Sequence, residues 1–316
     1  KKHNLWERKI ESDDFLSVRL GIGNTKPFIN IQVPEEHFSL DDDNLKDLIS
    51  NLTSDCGTMN DVPITFSLTE KYISSIIGEN NLTKLFLDTI FLQLMTFQSY
   101  DDFKIVVLTN KEKAVKWNYL KYSPHCWDNN KSIRYFGTTI DEINQISNSI
   151  EEEFNKRRYK EAANGALIQN DKDYKNYSPY YLILADDFDS IRNVGIIRNV
   201  LSQKINYGFS LIINQDTLAK LPNECTTFIN ISKDNSTLIE SSLYTNNQKE
   251  FKADFNSSIN MEECSVMLSN IPIEFSKGEY DLPNIMTFLE MFGVGKIEQL
   301  NALNNWKTND TTISLQ

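Results

Sequence analysis

The segment YLILADDF, Tyr181 to Phe188, places two carboxylates directly behind the apolar residues Leu182, Ile183, Leu184 and Ala185. A short apolar run of this kind reads as a strand buried on both faces of a parallel sheet. Ligands of open α/β sheets gather beyond the carboxyl ends of such strands. Of Asp186 and Asp187, one could there hold the water-rich shell of a Mg²⁺ ion while the other polarises an attacking water, the acidic half of a nucleotide-hydrolysis site. The same residues have a second reading, in which Asp187 or Asp189 caps a helix starting near Ser190.

Hydrolysis of a nucleoside triphosphate also needs a grip on phosphate. A P-loop supplies it with a Gly-rich turn whose N–H groups wrap the phosphates, a Lys that reaches the β- and γ-oxygens, and a Ser or Thr hydroxyl on Mg²⁺. The place for it is the first strand-to-helix step upstream, SSIIGENNLTKLFLDTI. Gly78 stands there, and GxxxxGK[ST] spacing puts Thr83 where the second glycine belongs, Lys84 at the lysine and Leu85 in place of the hydroxyl residue. Glu79 adds a negative charge where a neutral amide nest should sit. Gly78, Thr83 and Lys84 are the candidate phosphate-side residues of a loop that reads as a degenerate relic or an ordinary turn. Hydrolysis of ATP is therefore not expected at this site.

Other chemistry is thinner. His125 in SPHCW has only Cys126 beside it, and adjacent ligands point badly for one tetrahedral ion. No metal site is expected, and Trp117, Tyr119, Tyr122, His125 and Trp127 read as an aromatic packing cluster or an interface. The stretch EEEFNKRR allows an i,i+4 pair between Glu153 and Arg157. Arg157 and Arg158 then read as a solvated helix end, with an arginine-finger role as the sharper alternative. Cys56, Cys126, Cys225 and Cys264 are scattered without a CxxC pair, which argues for a reducing compartment.

These residues must be positioned by a sizeable fold, and 316 residues suffice for one. The balance of 32 basic against 44 acidic residues, a formal −12, argues against a general nucleic-acid coat or an anionic-membrane surface. The most apolar segment, LFLDTIFLQLMTF, is short and carries Asp88 and Gln93, so it reads as a buried core helix. Residues 1–69 form the expected β-rich N-terminal part, with strands at FLSVRLGIG, FINIQV and VPITFSL and one helix at DDDNLKDLISNL. Residues 70–316 alternate strands and helices, the pattern of a mainly parallel sheet. Strands are expected at YISSII, FKIVVLT, SIRYFG, YLILA, GFSLIIN and TTFINI. Helices are expected at LTKLFLDTIFLQLMTF, KEKAVKWNYL, IDEINQISNSIEEEFNKRR and SIRNVGIIRNVLSQ. STLIESSL and QKEFKA read as edge strands, and helices at MEECSVMLSN and LPNIMTFLEMF follow. Glu161 to Pro179 reads as a polar loop. A start at KKHNLWERK, without Met or a signal sequence, and an end at TTISLQ are expected of a segment of a longer polypeptide.

One ordered set of segments resembles the EssC/EccC family, the FtsK/SpoIIIE-type ATPases of type VII secretion. It comprises LWERKIESDDFLSVRLGIG, VPITFSL, SYDDFKIVVLTN with WNYLKYSPHCW, EEEFNKRR, YLILADDF and LPNIMTFLEMFGVGKIEQLNALNNWKTND, and so covers nearly the whole chain. The resemblance implies a RecA/P-loop-NTPase-like α/β fold placed between two membrane helices and the first ATPase module, on the cytoplasmic face of the cell membrane. In it Asp186 and Asp187 match the acidic pair and Gln215 the Gln of the loop after the next strand. It implies no cofactor in this domain and ATP with Mg²⁺ in later modules of the parent protein. The implied partners are those modules, other membrane subunits of the secretion machine, further copies of the chain and secreted helical proteins. Trp6, Glu7 and Arg8 fall where a membrane stalk joins, orienting it or packing as a terminal strand. The function implied is a pseudo-ATPase coupling module. The alternatives are a divergent Mg²⁺-dependent hydrolase and a substrate-docking module using the aromatic cluster.

Overall fold

The computed structural model describes residues 5–27, 51, 58–163, 175, 177–241 and 246–271. The expected elements FINIQV, DDDNLKDLISNL and LPNIMTFLEMF, the C-terminal linker, Cys56 and most of the polar loop lie outside the described residues, Asn51 apart. Compactness divides the chain after Ile271, and all the described residues belong to the first unit.

That unit is built on one ten-stranded sheet. In chain order its strands are β1 (Ser17–Thr25), β2 (Met59–Ser67), β3 (Ile73–Gly78), β4 (Phe103–Leu108), β5 (Phe136–Gly137), β6 (Tyr180–Ala185), β7 (Phe209–Gln215), β8 (Thr227–Ile231), β9 (Ser236–Ser241) and β10 (Asn246–Ala253). Across the sheet they run β2-β1-β10-β9-β8-β3-β7-β6-β4-β5. The span from β8 to β5 is parallel, and β2, β1, β10, β9 and β8 pair antiparallel. β4, β6 and β7 are buried along their whole length, which is why they read as mainly apolar runs without alternation, broken at Lys104, Ser210, Asn214 and Gln215. The N-terminal strands β1 and β2 are hydrogen-bonded into this same sheet through β10.

Helices cover both faces. On one face lie α1 (Asn80–Phe97), a 3-10 helix (Lys113–Tyr122) and α5 (Met261–Ser269); on the other lie α2 (Ile140–Ala163), α3 (Phe188–Ile191) and α4 (Gly195–Ser202). Phe86, Leu87, Ile90, Phe91, Leu94 and Met95 of α1 are buried against the first face, as expected of a core helix. Among the described residues no helix is long and apolar enough to cross a membrane.

Four expectations need correction. KEKAVKWNYL is a 3-10 helix, and three of its buried residues, Ala114, Trp117 and Leu120, recur every three positions, the period of that helix, with Tyr119 buried beside them. SIRNVGIIRNVLSQ is two short helices, separated between Ile191 and Gly195. STLIESSL and QKEFKA are interior strands, since β10 lies between β1 and β9; β2 and β5 are the edges. Arg157 is buried at 3% exposure, so it does not close a solvated helix end.

Candidate functional site

β3, β7, β6 and β4 are consecutive neighbours, so their carboxyl ends bring Gly78, Gln215, Asp186 and Thr109 to one edge of the sheet. This is where an open parallel sheet binds ligands.

The step from β3 to α1 is one residue long. β3 ends at Gly78, Glu79 is the N-cap and the helix begins at Asn80. A single residue cannot form the nest of successive N–H groups that surrounds a triphosphate. Gly78 has another reason to be glycine: its φ is +153°, and a Cβ would stand 2.5 Å from the Ile231 carbonyl oxygen of β8. Thr83 is buried inside the first turns of α1, where its hydroxyl donates to the Asn80 carbonyl at 3.3 Å. Lys84 forms an i,i+4 ion pair with Asp88, which also accepts from the Tyr119 hydroxyl at 2.9 Å. Burial raises the Asp88 carboxyl above its ordinary range, opposed by Lys84 and Tyr119. Lys84 thus serves a buried acid on its own helix.

Asp186 is 1% exposed and its oxygens are in use. Oδ2 accepts from the Trp117 indole at 2.7 Å, Oδ1 from Asn214 Nδ2 at 2.5 Å, and the main-chain oxygen from Lys113 Nζ at 2.7 Å. Asp187 Oδ2 accepts from Asn110 Nδ2 at 3.1 Å and Ser190 Oγ at 2.6 Å. Asp187 is also the N-cap residue of α3, without a side-chain bond to the helix backbone. Gln215 is buried in register with Ile77 of β3, on the strand between Gly78 and Asp186. The structure therefore gathers Gly78, Asp186, Asp187 and Gln215 at one edge and leaves Thr83 and Lys84 inside α1.

Asn214, Lys113 and Asn110 escaped the sequence reading, and Trp117 enters it only as a member of the aromatic cluster. Asn214 had a signal: Leu184 is in register with Ile212, so two residues on Asp186 and Asn214 fall side by side on one face. Trp117 and Lys113 had none beyond the three-residue period of their segment.

The aromatic cluster is mostly interior. Trp117, Tyr119 and His125 are buried, whereas Tyr122 is 50% exposed. Tyr119, Trp117 and His125 are thereby withdrawn from any docking face. His125 lies between the Ser123 hydroxyl, 3.1 Å from Nδ1, and the Gln98 carbonyl, 3.0 Å from Nε2, and burial lowers its pKa to about 4. Burial pushes the neighbouring Cys126 thiol up to about 12, so it is not a thiolate ligand near neutral pH. Among the described residues no group of His, Cys, Asp and Glu side chains is arranged to hold a metal ion.

Arg157 is locked by three acceptors: Glu153 Oε1 at 2.9 Å, the Pro179 carbonyl at 2.9 Å and the Tyr207 carbonyl at 3.2 Å. The rings of Tyr177, Tyr181 and Phe209 surround its guanidinium with centroids 5.2 to 5.4 Å away. Its fork is spent on its own fold.

The N-terminal segment docks on the end of α1. The Trp6 indole donates to the Met95 carbonyl at 3.0 Å, and the main-chain N–H groups of Trp6 and Arg8 donate to Thr96 and Phe97 at 2.9 and 3.1 Å. Three terminal carbonyls of the helix are thus satisfied from outside. Arg8 adds an ion pair to Asp14 at 2.9 Å and stacks over Phe97 at 4.2 Å. This segment packs as turn and coil, not as a terminal strand.

A mainly parallel sheet covered on both faces, with acidic residues at its carboxyl edge beside a strand-to-helix step, is the fold of P-loop ATPase domains. Solved structures agree: the cytoplasmic domain of the Thermomonospora curvata type VII secretion ATPase EccC superposes with a TM-score of 0.53 over 87% of this chain and 33% of that one, at 12% identity. EssC ATPases 2 and 3 from Geobacillus thermodenitrificans give 0.52 over 84% and 50%, at 11% identity. In sequence, the type VII secretion system protein EssC of Staphylococcus aureus (strain NCTC 8325) is 27% identical over 319 residues, 98% of this chain and 21% of that protein. The ESX secretion system protein EccC of G. thermodenitrificans (strain NG80-2) is 24% identical over 320 residues, 98% of this chain and 20% of that protein. No family model matches. Over nearly its whole length the chain is similar to the EssC and EccC proteins of type VII secretion, and it spans about a fifth of the length of the curated relatives it matches.

Proposed function

We propose that this chain is a non-catalytic coupling module of a membrane-anchored type VII secretion translocase, an ATPase fold reused as a scaffold. The observation that carries the reading is the one-residue step from Gly78 to Asn80, which leaves no loop to hold a triphosphate. The engagement of Asp186 supports it: its buried carboxylate carries a donor on each oxygen, from Trp117 and Asn214, and Lys113 holds its main-chain oxygen, which makes it a poor magnesium ligand. Docking of Trp6 and Arg8 on α1 supports the coupling role: displacement of the N-terminal segment loads a core helix directly. In this reading ATP and Mg²⁺ act in other modules of the parent protein. Those modules, membrane subunits and further copies of the chain are its partners, and a membrane anchor belongs to the parent.

Isothermal titration with ATP and Mg²⁺ tests the proposal. The expected result is no saturable binding up to millimolar nucleotide. Micromolar binding that disappears in Asp186→Ala or Asp187→Asn overturns it.

A further inference from the structure

We infer that the 3-10 helix Lys113–Tyr122 is a plug that keeps a divalent-cation site at Asp186 and Asp187 shut. The inference rests on the non-catalytic reading and gives it a cause.

Of the three rows that a three-residue period gives the plug, two face the rest of the fold. Ala114, Trp117 and Leu120 form the buried row that seats it on the core. Lys113, Lys116 and Tyr119 form the other, and each is clipped to the framework. Lys113 Nζ donates to the Asp186 carbonyl at 2.7 Å, Lys116 Nζ to Asn80 Oδ1 at 3.3 Å and the Tyr119 hydroxyl to Asp88 Oδ1 at 2.9 Å. The Trp117 indole adds its bond to Asp186 Oδ2, and Asn110, just ahead of the helix, donates to Asp187 Oδ2.

The direction of these bonds is uniform. The framework offers oxygens from two adjacent carboxylates and a main-chain carbonyl, the ligand type that hard divalent cations take. The plug offers only hydrogen-bond donors, two of them ammonium groups, so it supplies from within the chain what a hydrated cation would supply from solution. Two further side-chain oxygens at this edge, Asn214 Oδ1 and Thr109 Oγ1, are buried and have no hydrogen-bond partner among the described residues. They are acceptors at this edge that the closed arrangement leaves unsatisfied.

The plug is also held in an unusual form. Runs of 3-10 helix beyond three or four residues are uncommon, and this one spans ten. Its clipped row stays aligned only at three residues per turn. Rewinding to an α-helix turns Tyr119 about 120° away from Lys113 around the axis, which takes the row off its anchors. The acidic edge is then open.

The test is Mn²⁺ titration of the whole chain, followed by electron paramagnetic resonance, in wild type, Lys113→Ala and Lys113→Ala/Trp117→Phe. Wild type is expected to take up no Mn²⁺ in the submillimolar range. The double variant is expected to bind one ion at least about tenfold more tightly, and adding Asp187→Asn is expected to abolish the gain. A folded double variant with no gain overturns the plug and leaves the non-catalytic reading standing. Equal binding by wild type also overturns it, and the ATP titration then decides the functional reading separately. Should the double variant fail to fold, Lys113→Ala, altered at a partly exposed side chain, carries the same comparison: tighter binding supports the plug and unchanged binding overturns it.

Discussion

His125 shows how little of a residue's chemistry resides in its type. Its ring is fully buried between Ser123 and the Gln98 carbonyl, and it packs edge-on to Tyr100. With a folded pKa of about 4 against 6.5, the native state refuses a proton that the unfolded chain accepts. The resulting stability is complete above pH 6.5 and falls as the pH drops toward 4, by about 3 kcal/mol in all. Urea titrations at pH 7 and 4.5 should show this loss in wild type. His125→Gln should be less stable at pH 7 and should show a flatter slope over that interval. The acidic pair was legible because a strand of apolar residues ending in two carboxylates is a local pattern. Its hydrogen-bond partners were not legible, because Trp117 and Lys113 reach Asp186 from 69 and 73 residues away. Arg157 was misread for a similar reason: the local pattern showed Glu153 beside it but not the carbonyls of Pro179 and Tyr207.

At the scale of elements, α1 is gripped at both ends. Trp6 and Arg8 satisfy its last carbonyls, while Lys116 and Tyr119 hold Asn80 and Asp88. Trp6→Ala removes the indole bond to Met95 and the edge contact with Tyr100, whose ring centroid is 5.3 Å away. It should cost about 2 kcal/mol, since the residue is only partly buried. Hydrogen exchange should show the gain in amide opening concentrated in the last turn of α1. The parallel strands and long helices were readable from apolar runs and helical spacing. β9 and β10 were mistaken for edges because their sequences, STLIES and NNQKEFKA, are mostly polar. Polar side chains report solvated strand faces, not the absence of a hydrogen-bonded neighbour.

The described residues of the first unit are built around one sheet in which its first and last strands pair. β1 is sandwiched between β2 and β10; Phe15 and Leu16 just ahead of it and Val18 and Leu20 within it belong to the main core. Deleting residues 1–27 should therefore not yield a trimmed domain. It should bare the pairing edge of β10 and the apolar face beneath β1, and give aggregated protein in size-exclusion chromatography where the full chain elutes as a defined species. The register Gly21 to Ala253 also fixes an order of events during synthesis. β1 leaves the ribosome well before β10, its partner on one side, which is not made until more than two hundred residues later. At translation speeds of about 5–20 residues per second, that side waits tens of seconds or less. During that wait the nascent chain presents an unmet strand edge to whatever chaperone is near.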